Sequence, residues 1–175
     1  MRGTDGFLVA RSSFESLMYM RFHPCVCGDG GPVTLRLERR GAHALTVYDG
    51  ECNTCGRPKY FEFAVSFDDE ARSTILDAGQ WLIAAEWVAR GVPADLAQLD
   101  DDDRIIAITD LERAVVALEE TLKFTPPSED RVPEDTLWSP EGKALYAAEP
   151  GRFRKPRIEA VLAVYRDSLA RLSPT

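Results

Sequence analysis

Cys25-Val26-Cys27-Gly28 and Cys52-Asn53-Thr54-Cys55-Gly56 decide how the first third of the chain folds, with 24 residues separating Cys27 from Cys52. Together they hold all four cysteines of the protein. A C-x-x-C turn folds two sulfurs toward one point and leaves backbone N–H groups free to hydrogen-bond them, which suits tetrahedral Zn²⁺. Cys52 and Cys55 have that spacing, while Cys25 and Cys27 are one residue closer and still chelate. His23, two residues before Cys25, is the alternative fourth donor. Two disulfides are the other reading of the same residues, appropriate to an oxidising compartment; a reducing one favours metal ligation. Four protein donors would close the coordination sphere, which makes the expected zinc structural and disfavours hydrolytic chemistry.

Around these turns the pattern is that of β-strands. Val33, Leu35 and Leu37 alternate with Thr34, Arg36 and Glu38, and β-branched and aromatic runs follow at 42–48 and 60–67. Arg40-Gly41 supplies a hairpin turn, and Asp49-Gly50 delivers the chain to the second cysteine pair. The order is cysteine turn, strand, strand, cysteine turn, strand. With Tyr60-Phe61-Glu62-Phe63 after the second pair, residues 20–67 resemble the zinc-ribbon group. That resemblance implies a small three-stranded antiparallel sheet and a structural metal, in a group that serves transcription, RNA handling, ribosomes and protein docking.

Beyond Phe67 the periodicity becomes helical. Trp81, Ala84, Ala85 and Val88 form a stripe ended by Gly91 and Pro93, predicting a helix over 78–90. Thr109-Asp110-Leu111-Glu112 matches a capping box, and Ile108, Leu111, Val115, Leu118 and Leu122 share a face until Pro126-Pro127; residues from Asp101 add an earlier turn or two. The proline-rich stretch 125–140 is expected to be an ordered loop pinned by Leu137 and Trp138. Ser139-Pro140 opens a short helix toward Ala148, and a last helix starts near Pro156. The expectation is an α+β protein, with a zinc-ribbon unit over 1–67 packed against an acidic helical unit over 68–175.

Charge is segregated along the chain. Residues 1–66 carry 8 basic and 7 acidic side chains, residues 67–151 carry 7 and 20, and residues 152–175 carry 6 and 2. An acidic middle argues against a broad nucleic-acid-binding face and favours docking to a basic protein. The candidate docking residues are Asp100, Asp101, Asp102, Asp103, Glu119, Glu120 and Trp87; a solvated acidic surface explains the same charge. The function expected is therefore non-catalytic: a zinc-binding regulator, adaptor or immunity-type inhibitor of a basic partner such as a nuclease or deaminase toxin. The alternative is nucleic-acid binding through Arg152, Arg154, Lys155 and Arg157, with Phe153 as a stacking group and Arg36, Arg39, Arg40, Arg57 and Lys59 on the ribbon. Those basic residues also have acidic neighbours able to neutralise them, Glu38 for Arg36 among them.

No G-x-S-x-G, Walker, dinucleotide-glycine or H-E-x-x-H pattern is present. The apolar run Phe7 to Ala10 is too short for a membrane span or a signal core, so the reading is cytoplasmic, with no membrane partner and no small-molecule substrate.

Overall fold

A computed structural model describes residues 6–29, 33–93, 95–96 and 99–172. It divides into two compact units, Met1–Leu76 and Asp77–Thr175.

The first unit is a four-stranded sheet with one helix. Its elements are β1 (Leu8–Ala10), α1 (Ser13–Phe22), β2 (Thr34–Arg40), β3 (His43–Glu51) and β4 (Pro58–Val65). The strand order is β1-β4-β3-β2, with β2, β3 and β4 antiparallel and β1 parallel to β4. The expected three-stranded antiparallel sheet is thus corrected by a fourth, parallel strand. A three-residue strand shows no readable alternation, and its partner lies far along the chain.

Gly41, at φ +59°, makes the β2–β3 turn between the paired residues Arg40 and His43. Residues opposite one another in register share a face, so Tyr48 and Phe61 lie on one side with Thr46 and Phe63. Helix α1 covers that side, its Tyr19 ring meeting Phe61 and Phe63 edge-on at 6.4 and 5.6 Å. On the other face Leu45, Val47 and Ala64 pack with Phe7 and Val9. Leu35 and Leu37 sit on the edge strand and are exposed. Ser12 caps α1, its hydroxyl accepting the Glu15 N–H at 3.1 Å. Glu15 is buried, paired with Arg11 at 3.0 Å.

The second unit contains α2 (Ala78–Ala89), α3 (Asp101–Leu122), α4 (Pro140–Ala148) and α5 (Lys155–Leu172). Short 3₁₀ turns lie at Glu134–Thr136 and Pro150–Phe153. Asp77 and Gln80 form a reciprocal capping box at the start of α2. Asp77 is fully buried, and its second carboxylate oxygen also accepts the N–H groups of Trp138 (2.9 Å) and Ser139 (2.6 Å). One carboxylate therefore fixes both the start of α2 and the entry to α4, where Ser139 and Pro140 take the expected N-cap and N1 positions.

Helix α3 begins earlier than its Thr109 motif implies. Its N-cap is Asp100, which accepts the Asp103 N–H at 2.8 Å, while the Thr109 hydroxyl donates to the Ile105 carbonyl in mid-helix. The loop before α4 is ordered: Val132 and Leu137 are buried, and the Val132 N–H donates to Phe153 O at 2.9 Å. Trp138 is 47% exposed, not buried with Leu137.

Candidate metal centre

The two cysteine turns converge at one end of the sheet. The first follows directly on α1 and precedes β2. The second is the loop of the β3–β4 hairpin, where pairing ends at Glu51 and Pro58 and the Cys52 N–H then donates to Arg57 O at 2.8 Å. Each turn closes with a glycine N–H donating back to its first cysteine, Gly28 to Cys25 O at 2.7 Å and Gly56 to Cys52 O at 2.8 Å. Both glycines have positive φ, +86° and +68°, a conformation that disfavours other residues.

The four sulfurs of Cys25, Cys27, Cys52 and Cys55 lie within 4.8 Å of one another. Cys25 Sγ is 3.4 Å from Cys55 Sγ, and Cys27 Sγ is 3.3 Å from Cys52 Sγ. All four thiols are free. Sulfurs placed about 2.3 Å from a tetrahedral zinc stand about 3.8 Å apart. The observed separations of 3.3 and 3.4 Å and the 4.8 Å outer bound bracket that figure, so the cluster can hold a metal ion. Four soft donors at this spacing suit zinc.

The thiols differ in environment. The Cys27 backbone N–H, reinforced by the Cys55 sulfur, draws Cys25 down to about 7. Burial pushes Cys52, only 2% exposed, up to about 12. A metal that binds here must displace the Cys52 proton, so uptake releases protons and weakens as pH falls. The backbone N–H groups of Thr54 and Cys55 favour the Cys52 thiolate; that of Arg57 favours the Cys55 thiolate, but the neighbouring Cys25 sulfur and burial leave Cys55 raised on balance. These contacts support first-row metal ligation by orienting and stabilising the sulfurs.

Asp29 completes the surround. Its Oδ2 accepts the Thr54 N–H at 3.2 Å and the Thr54 hydroxyl at 3.3 Å, and lies 3.3 Å from Cys52 Sγ. It ties the first turn to the second. Sequence reasoning missed Asp29, because its partners lie in the second turn, 23 to 25 positions further along the chain. His23 stands outside the four-sulfur group, its Nδ1 2.8 Å from Tyr19 O and its ring stacked on Tyr19 at 4.0 Å.

The acidic candidates do not form one patch. Asp100 is an N-cap and Asp101, Asp102 and Asp103 lie exposed in the first turn of α3. Glu119 and Glu120 sit about 24 Å further along the helix at 1.5 Å per residue. Glu119 pairs with Arg166 (2.6 Å) and Glu120 with Lys123 (2.8 Å). Trp87 is half-buried on α2.

Among the basic candidates, Arg152 pairs with Glu86 (2.7 Å) and Glu149 (3.6 Å), Arg154 with Asp130 (3.2 Å) and Lys155 with Glu159 (4.0 Å). Phe153 is buried against Tyr146, with ring centroids 4.9 Å apart, so it offers no stacking surface. On the sheet, Arg36 pairs with Glu38 and Asp49, and Arg40 with Glu38 and Glu62. The Lys59 ammonium nitrogen is buried. Arg39, Arg57 and Arg157 remain exposed, with no ion pair among the described residues.

No protein-family profile, curated protein or solved structure matches this chain. Among the described residues no helix is long and apolar enough to cross a membrane.

Proposed function

We propose that this protein binds one structural Zn²⁺ through Cys25, Cys27, Cys52 and Cys55 and acts without catalysis, by docking to a basic protein. The four-sulfur cluster supports the first half of that reading, because four protein donors leave no coordination position for a reacting water. The second half rests on the outward side of α3. Ile105 and Ile106, 63% and 56% exposed, follow the acidic turn Asp101–Asp103 after one intervening basic residue, Arg104. An apolar centre beside acidic groups is the composition of a surface that meets a basic partner with its own apolar spot.

Charge supports the same direction. The unit Asp77–Thr175 carries 19 acidic and 12 basic side chains, a net of −7, against −1 for the rest of the chain. Such a field speeds association with a basic surface and is screened by salt. A regulator, adaptor or immunity-type inhibitor of a nuclease or deaminase fits this chemistry. Nucleic-acid binding would need phosphate contacts from residues that mostly pair within the chain.

Affinity capture from native lysate, with and without nuclease, tests the reading. A stoichiometric basic protein that survives nuclease, weakens with salt and is lost on Ile105→Asp with Ile106→Asp is the expected result. Recovery dominated by nucleic acid and abolished by replacing Arg39, Arg57 and Arg157 would overturn it.

A further inference from the structure

The second unit holds a cavity of about 480 Å³ between α2, α3 and α5. That volume lies within the roughly 300–1,000 Å³ of small-molecule sites. Its inner wall is apolar, built from Leu82, Ala85, Leu118 and Ile158, all buried. Polar groups also line it: Arg90 closing α2, Arg152 and Arg157 around the start of α5, and Glu86, Glu149 and Tyr165.

The charges in this cavity do not cancel. Glu86 and Glu149 both engage Arg152, at 2.7 and 3.6 Å, which leaves Arg90 and Arg157 without an ion-pair partner among the described residues. Three arginines and two glutamates line the cavity. A local positive excess of one charge therefore sits beside an apolar wall, within a unit whose net charge is −7. A guanidinium presents a planar fork of donors matched to a carboxylate, and Arg152 is already oriented by its two glutamates. Burial and the neighbouring Glu86 hold the Tyr165 hydroxyl above its usual range, and a phenol is in any case a donor at neutral pH.

We propose that this cavity binds a small monoanion with an apolar body, namely a carboxylate carried on a hydrocarbon chain or ring. Arg157 and Arg90 receive the carboxylate, and the apolar body lies on Leu82, Ala85, Leu118 and Ile158. A single negative charge neutralises the excess, whereas a phosphate dianion overshoots it and has nothing to place on the apolar wall. The site shares no residue with the cysteine cluster and does not depend on the docking reading.

The test is a titration of the full chain with octanoate, 1-octanol and inorganic phosphate, followed by amide chemical shifts. Octanoate is expected to give saturable shifts confined to residues 82–90, 118 and 149–165. 1-Octanol should bind about tenfold more weakly, the worth of one charge-assisted contact. Arg157→Ala and Arg90→Ala, both at exposed positions, should each weaken octanoate about five- to tenfold with the melting temperature unchanged. Val161→Trp, at a half-exposed lining position, should fill the cavity and abolish binding while the fold is retained. Absence of saturable shifts, equal binding of 1-octanol, or phosphate competing as well as octanoate would overturn the proposal.

Discussion

One four-residue pattern has two outcomes in this chain. Ser12-x-x-Glu15 and Thr109-x-x-Glu112 have the same form, and only the second was read as a helix start, yet of the two it is Ser12 that caps a helix; Thr109 lies eight residues inside α3. The motif cannot distinguish a chain end from a helix interior, because a threonine hydroxyl satisfies itself on the carbonyl four residues back. Ser12→Ala and Asp100→Ala are each expected to cost about 1 kcal/mol in chemical denaturation, and Thr109→Ala less than about 0.5 kcal/mol. Equal costs at Thr109 and Asp100 would contradict the helix boundaries. Asp77 matters more, because Asp77→Ala strips an N-cap and leaves the Trp138 and Ser139 N–H groups unsatisfied. Its expected cost is about 3 kcal/mol or more, read from the denaturation midpoint at unchanged slope. The four clustered cysteines were legible residue by residue, since a cysteine pair closed by glycine carries its geometry in its spacing. Asp29 was not, because one carboxylate after a turn signals nothing until the turn it binds is folded beside it.

At the scale of elements, strong local periodicity carried through and long-range pairing did not. Helices α2, α4 and α5 start and stop where their caps, prolines and apolar stripes place them. β1 and α1 went unread because a three-residue strand has no period and the Ser12 signal opens a helix with a weak apolar stripe. β2 shows the opposite limit: its alternation is clear, but Leu35 and Leu37 are exposed because the strand is an edge. The contact of α2 with α4 was also invisible from sequence. A Cβ on Gly79 would run into the Gly142 backbone, and one on Gly142 would meet the Asp77 carboxylate at 2.5 Å. The two glycines set how closely those helices approach. Gly142→Ala should destabilise by about 1–3 kcal/mol despite alanine's better helix propensity. A melting temperature at or above that of the parent would show that the helices separate freely.

At the scale of the whole molecule, the two units answer to different physics. The sheet unit surrounds its sulfur cluster with backbone donors, so its stability should track metal occupancy. Acidification or a strong chelator is expected to release the ion and lower the melting temperature of that unit, with the loss growing as pH falls because the sulfurs reprotonate. The helical unit is held by packing and by Asp77, and should not respond to the chelator. The mixed α and β character was legible because hydrophobic period changes once along the chain. The scattering of the acids was not: Asp100–Asp103 and Glu119-Glu120 look like one charged segment in sequence, but the rise of α3 places them at opposite ends.

Metal content per chain, measured by elemental analysis alongside native mass spectrometry on protein purified without added metal, bears most directly on this description. One zinc per chain, lost in Cys52→Ser together with the structure of the sheet unit, is the expected result. A metal-free chain whose sheet unit stays fully folded, or Cys52→Ser with zinc lost and the melting temperature unchanged, would contradict it.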